Sequence, residues 1–179
     1  MSVEIAAFAA YSPGMSEAGD LYERDFYAWT QSQAALLRAW PKALWPNALD
    51  IANLAEEIED SGKSQRRAAR SLLLRILEHL VKLQVHPDRS AERHWKKEVN
   101  SFRTQIEDVF AENPSLRAAR AELAADLWVR AAELARRDME VDGVDAGPGL
   151  ARLQAVETPY FDLDSEVLAE GWFPPAPAC

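Results

Sequence analysis

The chain has one cysteine in 179 residues, and it is the last one, Cys179. A lone thiol forms no intrachain disulfide and no thiolate zinc cluster, and a cysteine with nothing after it is no prenylation signal. An incidental exposed thiol is expected there. Long hydrophobic runs are missing as well. The apolar stretch within MSVEIAAFAAYSPGMSEAGD is short and follows no basic residues. Neither a membrane span nor a secretory leader is therefore expected, and a cytoplasmic protein is the default. Glycine is scarce, at seven, and no segment shows the alternating β-branched pattern of a strand. There is no GxSxG and no glycine-rich phosphate loop, which leaves nucleophilic and phosphate-cradling chemistry without its usual carriers.

What is present points one way. The chain is 48% hydrophobic and 27% charged, with six tryptophans, which is enough to bury a core. Alanine, leucine, glutamate and arginine dominate, and these are strong helix formers. The expected fold class is all-α, a helical bundle. The net charge of −9 is unevenly spread: residues 63–103 hold eleven Lys/Arg against four Asp/Glu, or +7, so the rest of the chain carries −16. Such a split marks an anionic partner, a self-association surface, or simply the solvated face of a helix pair.

Periodicity supplies the elements. Tyr22, Phe26, Trp29, Gln33 and Leu36 step by four and three, so a helix is expected from Leu21 to Arg38, capped by Asp20. Pro41 and Pro46 end it, and Trp40, Leu44 and Trp45 of the link are expected to fold back on the core. Ile51, Ala55, Ile58, Gly62, Gln65, Ala69, Leu72, Ile76, Leu80 and Leu83 then keep one seam without a phase slip. SGKS resembles a helix stop and restart, yet the seam runs through Gly62 in register. One long central helix is expected, about 49–85, with Gly62 facing a close neighbour. A fourth segment runs from Ser90 to about Ala111, with Trp95, Val99, Phe102, Ile106 and Val109 inward. Asn113–Pro114 opens another helix, ending before Gly143. A short piece near Leu150–Glu157 and another near Ser165–Glu170, capped by Asp162 or Asp164, form a packed C-terminal tail. The expected organisation is an arm over 1–20, a bundle over 21–140, and a loop with tail over 141–179.

The densest polar motif is NLAEEIEDSGKS, residues 53–64. Glu56, Glu57, Glu59 and Asp60 suggest a carboxylate metal site or an acid–base pair, and an enzyme would use Asp25, Glu56, Glu57 and Glu59 around a divalent metal. Helix geometry opposes this: adjacent positions lie about 100° apart, so Glu56 and Glu57 do not share a face. Glu59 and Lys63 have the favourable order for an ion pair. His79 lies about 28 Å of helical rise from Asp60, too far for one ion, and no glutamate precedes a histidine by three. No metal or cofactor is expected. KSQRRAARSLLLR, residues 63–75, is basic but lacks interleaved aromatics, so nucleic acid is not the expected partner.

The pieces YERDFYAW (22–29), LRA (37–39), LDIANLAEEIEDSGKS (49–64), HLVKLQ (79–84) with Trp95, and PSL (114–116), together with TPYFDLDSEVLAEGWFP near the end, resemble a bacterial family known as domain of unknown function, family 29. The likeness spans most of residues 21–174 in order. It implies a helical bundle without an established activity. It also singles out Tyr22, Asp25, Trp29, Asn53, Glu56, Glu57, Glu59, Gly62 and His79 as motif positions, none with an assigned role. WPKALWPN and HPDRSAERHW depart from the family's shorter and more serine-rich links. The expected function is a non-catalytic helical interaction module that self-associates as a dimer held by the long helix. The alternatives are a divalent-metal hydrolase using the clustered carboxylates and an antitoxin-like protein that masks a partner.

Overall fold

The computed structural model describes residues 14–144 and 160–175, and of residues 14–18 only the backbone. The N-terminal residues of the expected arm, the helix expected near 150–157 and Cys179 lie outside them. Among the described residues every regular element is helical. They are α1 (Gly14–Arg24), α2 (Phe26–Ala39), a 3₁₀ turn (Lys42–Leu44), α3 (Ile51–Val85), α4 (Glu92–Glu112), α5 (Pro114–Ala118), α6 (Arg120–Ala124), α7 (Leu127–Val141) and a π-helical turn (Leu163–Val167). The all-α expectation holds, and so does the long central helix, unbroken over 35 residues. No described helix is long and apolar enough to cross a membrane.

The chain divides into two compact units, Met1–Gln65 with Glu112–Ser115, and Arg66–Ala111 with Leu116–Cys179. In the first unit, the helix expected from Leu21 to Arg38 is two helices. Asp20 lies inside α1, and Asp25 is the cap of α2, its side chain accepting from the Ala28 N–H. A carboxylate that satisfies a first-turn donor competes with continuation of the preceding helix, and here it wins. The inward face of α2 runs through Thr30 and Ala34, both buried. The Tyr22–Phe26–Trp29–Leu36 stripe flanks that face instead, with Tyr22 and Leu36 about half exposed. The link keeps Trp40 and Trp45 half-buried, joined by Trp45 Nε1–H donating to the Trp40 carbonyl. Leu44, expected inside, is 65% exposed. None of the three residues of its turn is buried.

The second unit holds the larger core. Ala69, Leu73, Ile76, Leu80 and Leu83 of α3 are fully buried, with Trp128, Ala131 and Met139 of α7. Leu72, expected on the seam, is half-buried, and Leu73 beside it is inside. The inner face of α4 runs through Val99, Arg103, Ile106 and Phe110, rather than Phe102 and Val109. The helix expected from Pro114 onward is three helices. Arg70 explains one break: its guanidinium donates to the Leu123 carbonyl and pairs with Asp126 at both nitrogens. It thereby satisfies a carbonyl that continued helix would have used. Arg120 donates likewise to the Arg117 carbonyl.

The tail does pack down. Phe161 is buried and meets Trp128, Tyr160 and Trp172 edge-on. Its turn is π-helical over Leu163–Val167 rather than α-helical over 165–170, and Asp162 is the residue that caps it, accepting from Asp164 N–H and Ser165 N–H. Arg103 supplies the anchor. Although only 4% exposed, it is bonded to no carboxylate among the described residues: Nε, Nη1 and Nη2 donate to the carbonyls of Val167, Trp172 and Glu166. Burial lowers its pKa to about 10, so it is still a cation at neutral pH.

Candidate functional site

Eight of the nine motif positions fall in the first unit, and most of them serve helix ends and close packing. Asp25 is 8% exposed. One of its oxygens accepts from the Ala28 N–H at 2.9 Å and from the Ser115 hydroxyl at 2.8 Å. The other accepts from the Ser115 N–H at 2.7 Å. In return, Asn113 Oδ1 accepts from the Tyr27 N–H at 2.8 Å. The first turns of α2 and α5 thus cap each other, and a residue beside each helix fills the orphan donors of both. Three donors from two helix ends converge on the Asp25 carboxylate.

Gly62 serves packing. It is buried, and a Cβ there would lie 2.0 Å from Thr30 Oγ1 and 3.1 Å from Thr30 Cβ. Only a residue without a side chain lets α2 and α3 approach so closely. Thr30 is itself fixed, its hydroxyl donating to the Tyr27 carbonyl at 2.7 Å. Around this contact Glu59 accepts from Arg38 at 2.6 Å and pairs with Lys63 at 3.2 Å. Those partners, Arg38 first and then Lys63, hold its carboxyl below the ordinary value of 4.5. Asn53 is exposed and is capped by Asp50, its N–H and Nδ2–H donating to the two oxygens of that carboxylate. Glu56 and Glu57 point to solvent. Tyr22 and Trp29 meet edge-on at 4.8 Å, with Phe26 beside both.

In the second unit His79 is 7% exposed. Its Nδ1 lies 2.8 Å from the Arg75 carbonyl and its Nε2 lies 2.8 Å from Glu98, while His94 reaches the same carboxylate at 3.2 Å. The ring meets Phe102 edge-on. Among the described residues no group of three or more His, Cys, Asp or Glu is placed to hold a metal. The basic 63–75 segment is largely committed: Arg66, Arg70 and Arg75 pair with Glu122, Asp126 and Glu78.

Sequence periodicity did not reveal Asn113, Ser115 or Thr30 as partners of the motif. Asn113–Pro114 is legible as a helix start, but its bond to a backbone 86 positions away has no local signature.

The model of a family described as "Domain of unknown function DUF29" matches residues 21–173. No curated protein matches the chain. Among solved structures, the chain is similar to a crystallised alpha-helical protein of unknown function from Rhodospirillum rubrum. The TM-score is 0.68 at 27% identity, over 84% of this chain and 90% of that one. The crossed caps, the Gly62 contact and the His79–Glu98 pair all lie inside the family match, and the chain belongs to the DUF29 family.

Proposed function

We propose that the protein is a non-catalytic helical interaction module, a cytoplasmic bacterial protein that works as a homodimer. One observation carries this reading: large apolar side chains are left outside the first unit. Tyr22, Leu36, Leu44, Leu49 and Leu54 are 42–65% exposed, in a unit whose buried apolar side chains among the described residues are Ala34, Ile51 and Ala55. Single exposed apolar groups are ordinary, but a concentration of them marks a surface that something covers. The stripe beside Trp29 belongs to that surface, so Tyr22 and Trp29 are its contact residues. Asp25, Asn53, Glu59 and Gly62 hold the helices that present it.

A second copy is the occupant that charge favours. The first 62 residues carry ten Asp/Glu against three Lys/Arg, opposite in sign and equal in size to the +7 of residues 63–103. Two copies placed head to tail bring these segments together. The carboxylate hydrolase reading draws no support, because Asp25 serves two helix ends and Glu59 is paired with two cations. An antitoxin-like role would use the same apolar surface with a foreign partner.

Leu36→Glu and Leu54→Glu test the proposal, since both sites are exposed and a charge there leaves the fold intact. With wild-type circular dichroism retained, light scattering should show the dimer mass lost in each variant. A dimer that survives both changes would rule out this surface. A wild type that is monomeric alone yet captures a protein encoded beside it would favour the antitoxin-like role.

A further inference from the structure

Beside the first turns of α4, within the basic segment, lies an open hollow of about 460 Å³. Its wall includes Arg89, Arg93, Lys96 and Lys97, four cations, against the one carboxylate of Glu92. That carboxylate is already shared: Arg89 reaches it at 2.9 Å and Lys96 at 2.5 Å. Arg89 is held further by the Leu83 carbonyl, to which it donates at 2.6 Å. Arg93 and Lys97 are exposed and have no hydrogen-bond or ion-pair partner among the described residues. They are four residues apart on one helix, so the two charges sit side by side and repel. An anion laid over them removes that repulsion.

The matching acids lie in the same sequence. Within the 53–64 motif, Glu59 and Asp60 pair with Lys63, and Glu59 also with Arg38. Glu56 and Glu57 are exposed and have no such partner among the described residues. Glu57 follows Leu54 by three positions, so on α3 it borders the exposed leucine of the proposed contact surface. An apolar patch edged by charge is the ordinary make-up of a protein interface.

We infer that the α4 hollow receives Glu56 and Glu57 of a second copy, with Arg93 and Lys97 as their partners. This rests on the homodimer proposed above and names the polar contact that holds it. In a two-fold pair the contact is made twice, since each copy offers both the hollow and the acids. A protein carboxylate suits the hollow better than a phosphate backbone. Glu92 stands among its cations, no aromatic ring among its wall residues can stack a base, and the net charge of −9 opposes the approach of a polyanion.

The test is charge reversal in the whole chain, read by sedimentation equilibrium at low salt. Arg93→Glu with Lys97→Glu should weaken dimerisation about tenfold or more, and so should Glu56→Lys with Glu57→Lys. All four changes together should restore most of the lost affinity, because each reversed group then meets a reversed partner. The positions are exposed, so circular dichroism should match the wild type throughout. Should a reversal variant fail to fold, the glutamine versions of the same two pairs make the comparison. Each should weaken the dimer, and their combination should weaken it no further. A dimer that both double changes leave intact would overturn the inference while the homodimer stands. So would a fourfold reversal no tighter than either double. Binding of oligodeoxythymidylate that Arg93→Glu with Lys97→Glu abolishes, with the dimer unchanged, would give the hollow to a phosphate backbone instead. A wild type that stays monomeric would remove the homodimer itself, and the inference with it.

Discussion

Asp25 divides two carboxylate oxygens between two helix ends, and this makes it the most consequential acid of the motif. Its removal leaves the Ala28 N–H and the Ser115 N–H and hydroxyl without acceptors in a buried corner. A lost cap costs about 0.5–2 kcal/mol and each orphaned buried donor about 1–3. Asp25→Ala should therefore lower stability by about 2–4 kcal/mol in urea unfolding. Glu56→Gln with Glu57→Gln, at exposed positions, should move it by less than about 1 kcal/mol. Equal effects would mean that the crossed caps contribute nothing. Arg103 plays the corresponding part for the tail. Arg103→Met removes three donors to the carbonyls of Glu166, Val167 and Trp172. Limited proteolysis should then cut within 160–175 while the helical circular dichroism persists; a tail as resistant as in the wild type would show that Phe161 packing alone holds it.

At the scale of elements, the contact between α2 and α3 rests on Gly62. Gly62→Ala inserts a methyl group 2.0 Å from Thr30 Oγ1, and overpacking of this kind costs about 1–3 kcal/mol, more than the helix propensity gained. Thr30→Ala in the same chain removes the hydroxyl and should recover part of that loss, a coupling that a double-mutant cycle reads directly. Gly62→Asn should also destabilise, because among described residues only Gly143 and Gly171 have positive φ. Asparagine as stable as glycine would contradict the continuous helix. The Arg38–Glu59 pair spans the same two helices. Glu59 titrates below 4.5 in the folded chain, so its contribution is present above 4.5 and is lost as pH falls through the lowered value. The melting temperature should fall across that window. Arg38→Gln should flatten the fall, as should high salt, because this is an exposed pair.

These elements also show what was legible. The seam through Gly62 was, because a three-or-four spacing kept without a slip over ten positions is the signature of a single continuous helix. Asp25 as a cap was not: Tyr22, Phe26 and Trp29 keep helical spacing across the break, and the residues that stabilise the break, Asn113 and Ser115, are far away in sequence. The three-way division after Pro114 was hidden for the same reason, since Arg70 satisfies the freed carbonyl from another helix. Of the nine motif positions, the Glu59–Lys63 pairing and the close approach at Gly62 could be read from spacing. The crossed caps and the bridging of His79 and His94 by Glu98 required the fold.

The whole molecule combines an apolar surface on the first unit with an acidic segment of 62 residues and a basic one of 41, equal and opposite in charge. On the proposed reading the chain meets its own copy, and opposite segments make that meeting depend on ionic strength. Sedimentation velocity of the wild-type chain measures this most directly, with a concentration series through the micromolar range at low and high salt. The expected result is a dimer at low salt that dissociates as salt rises, with the dissociation midpoint moving to higher salt as protein concentration increases. A monomer at every concentration and salt would contradict it.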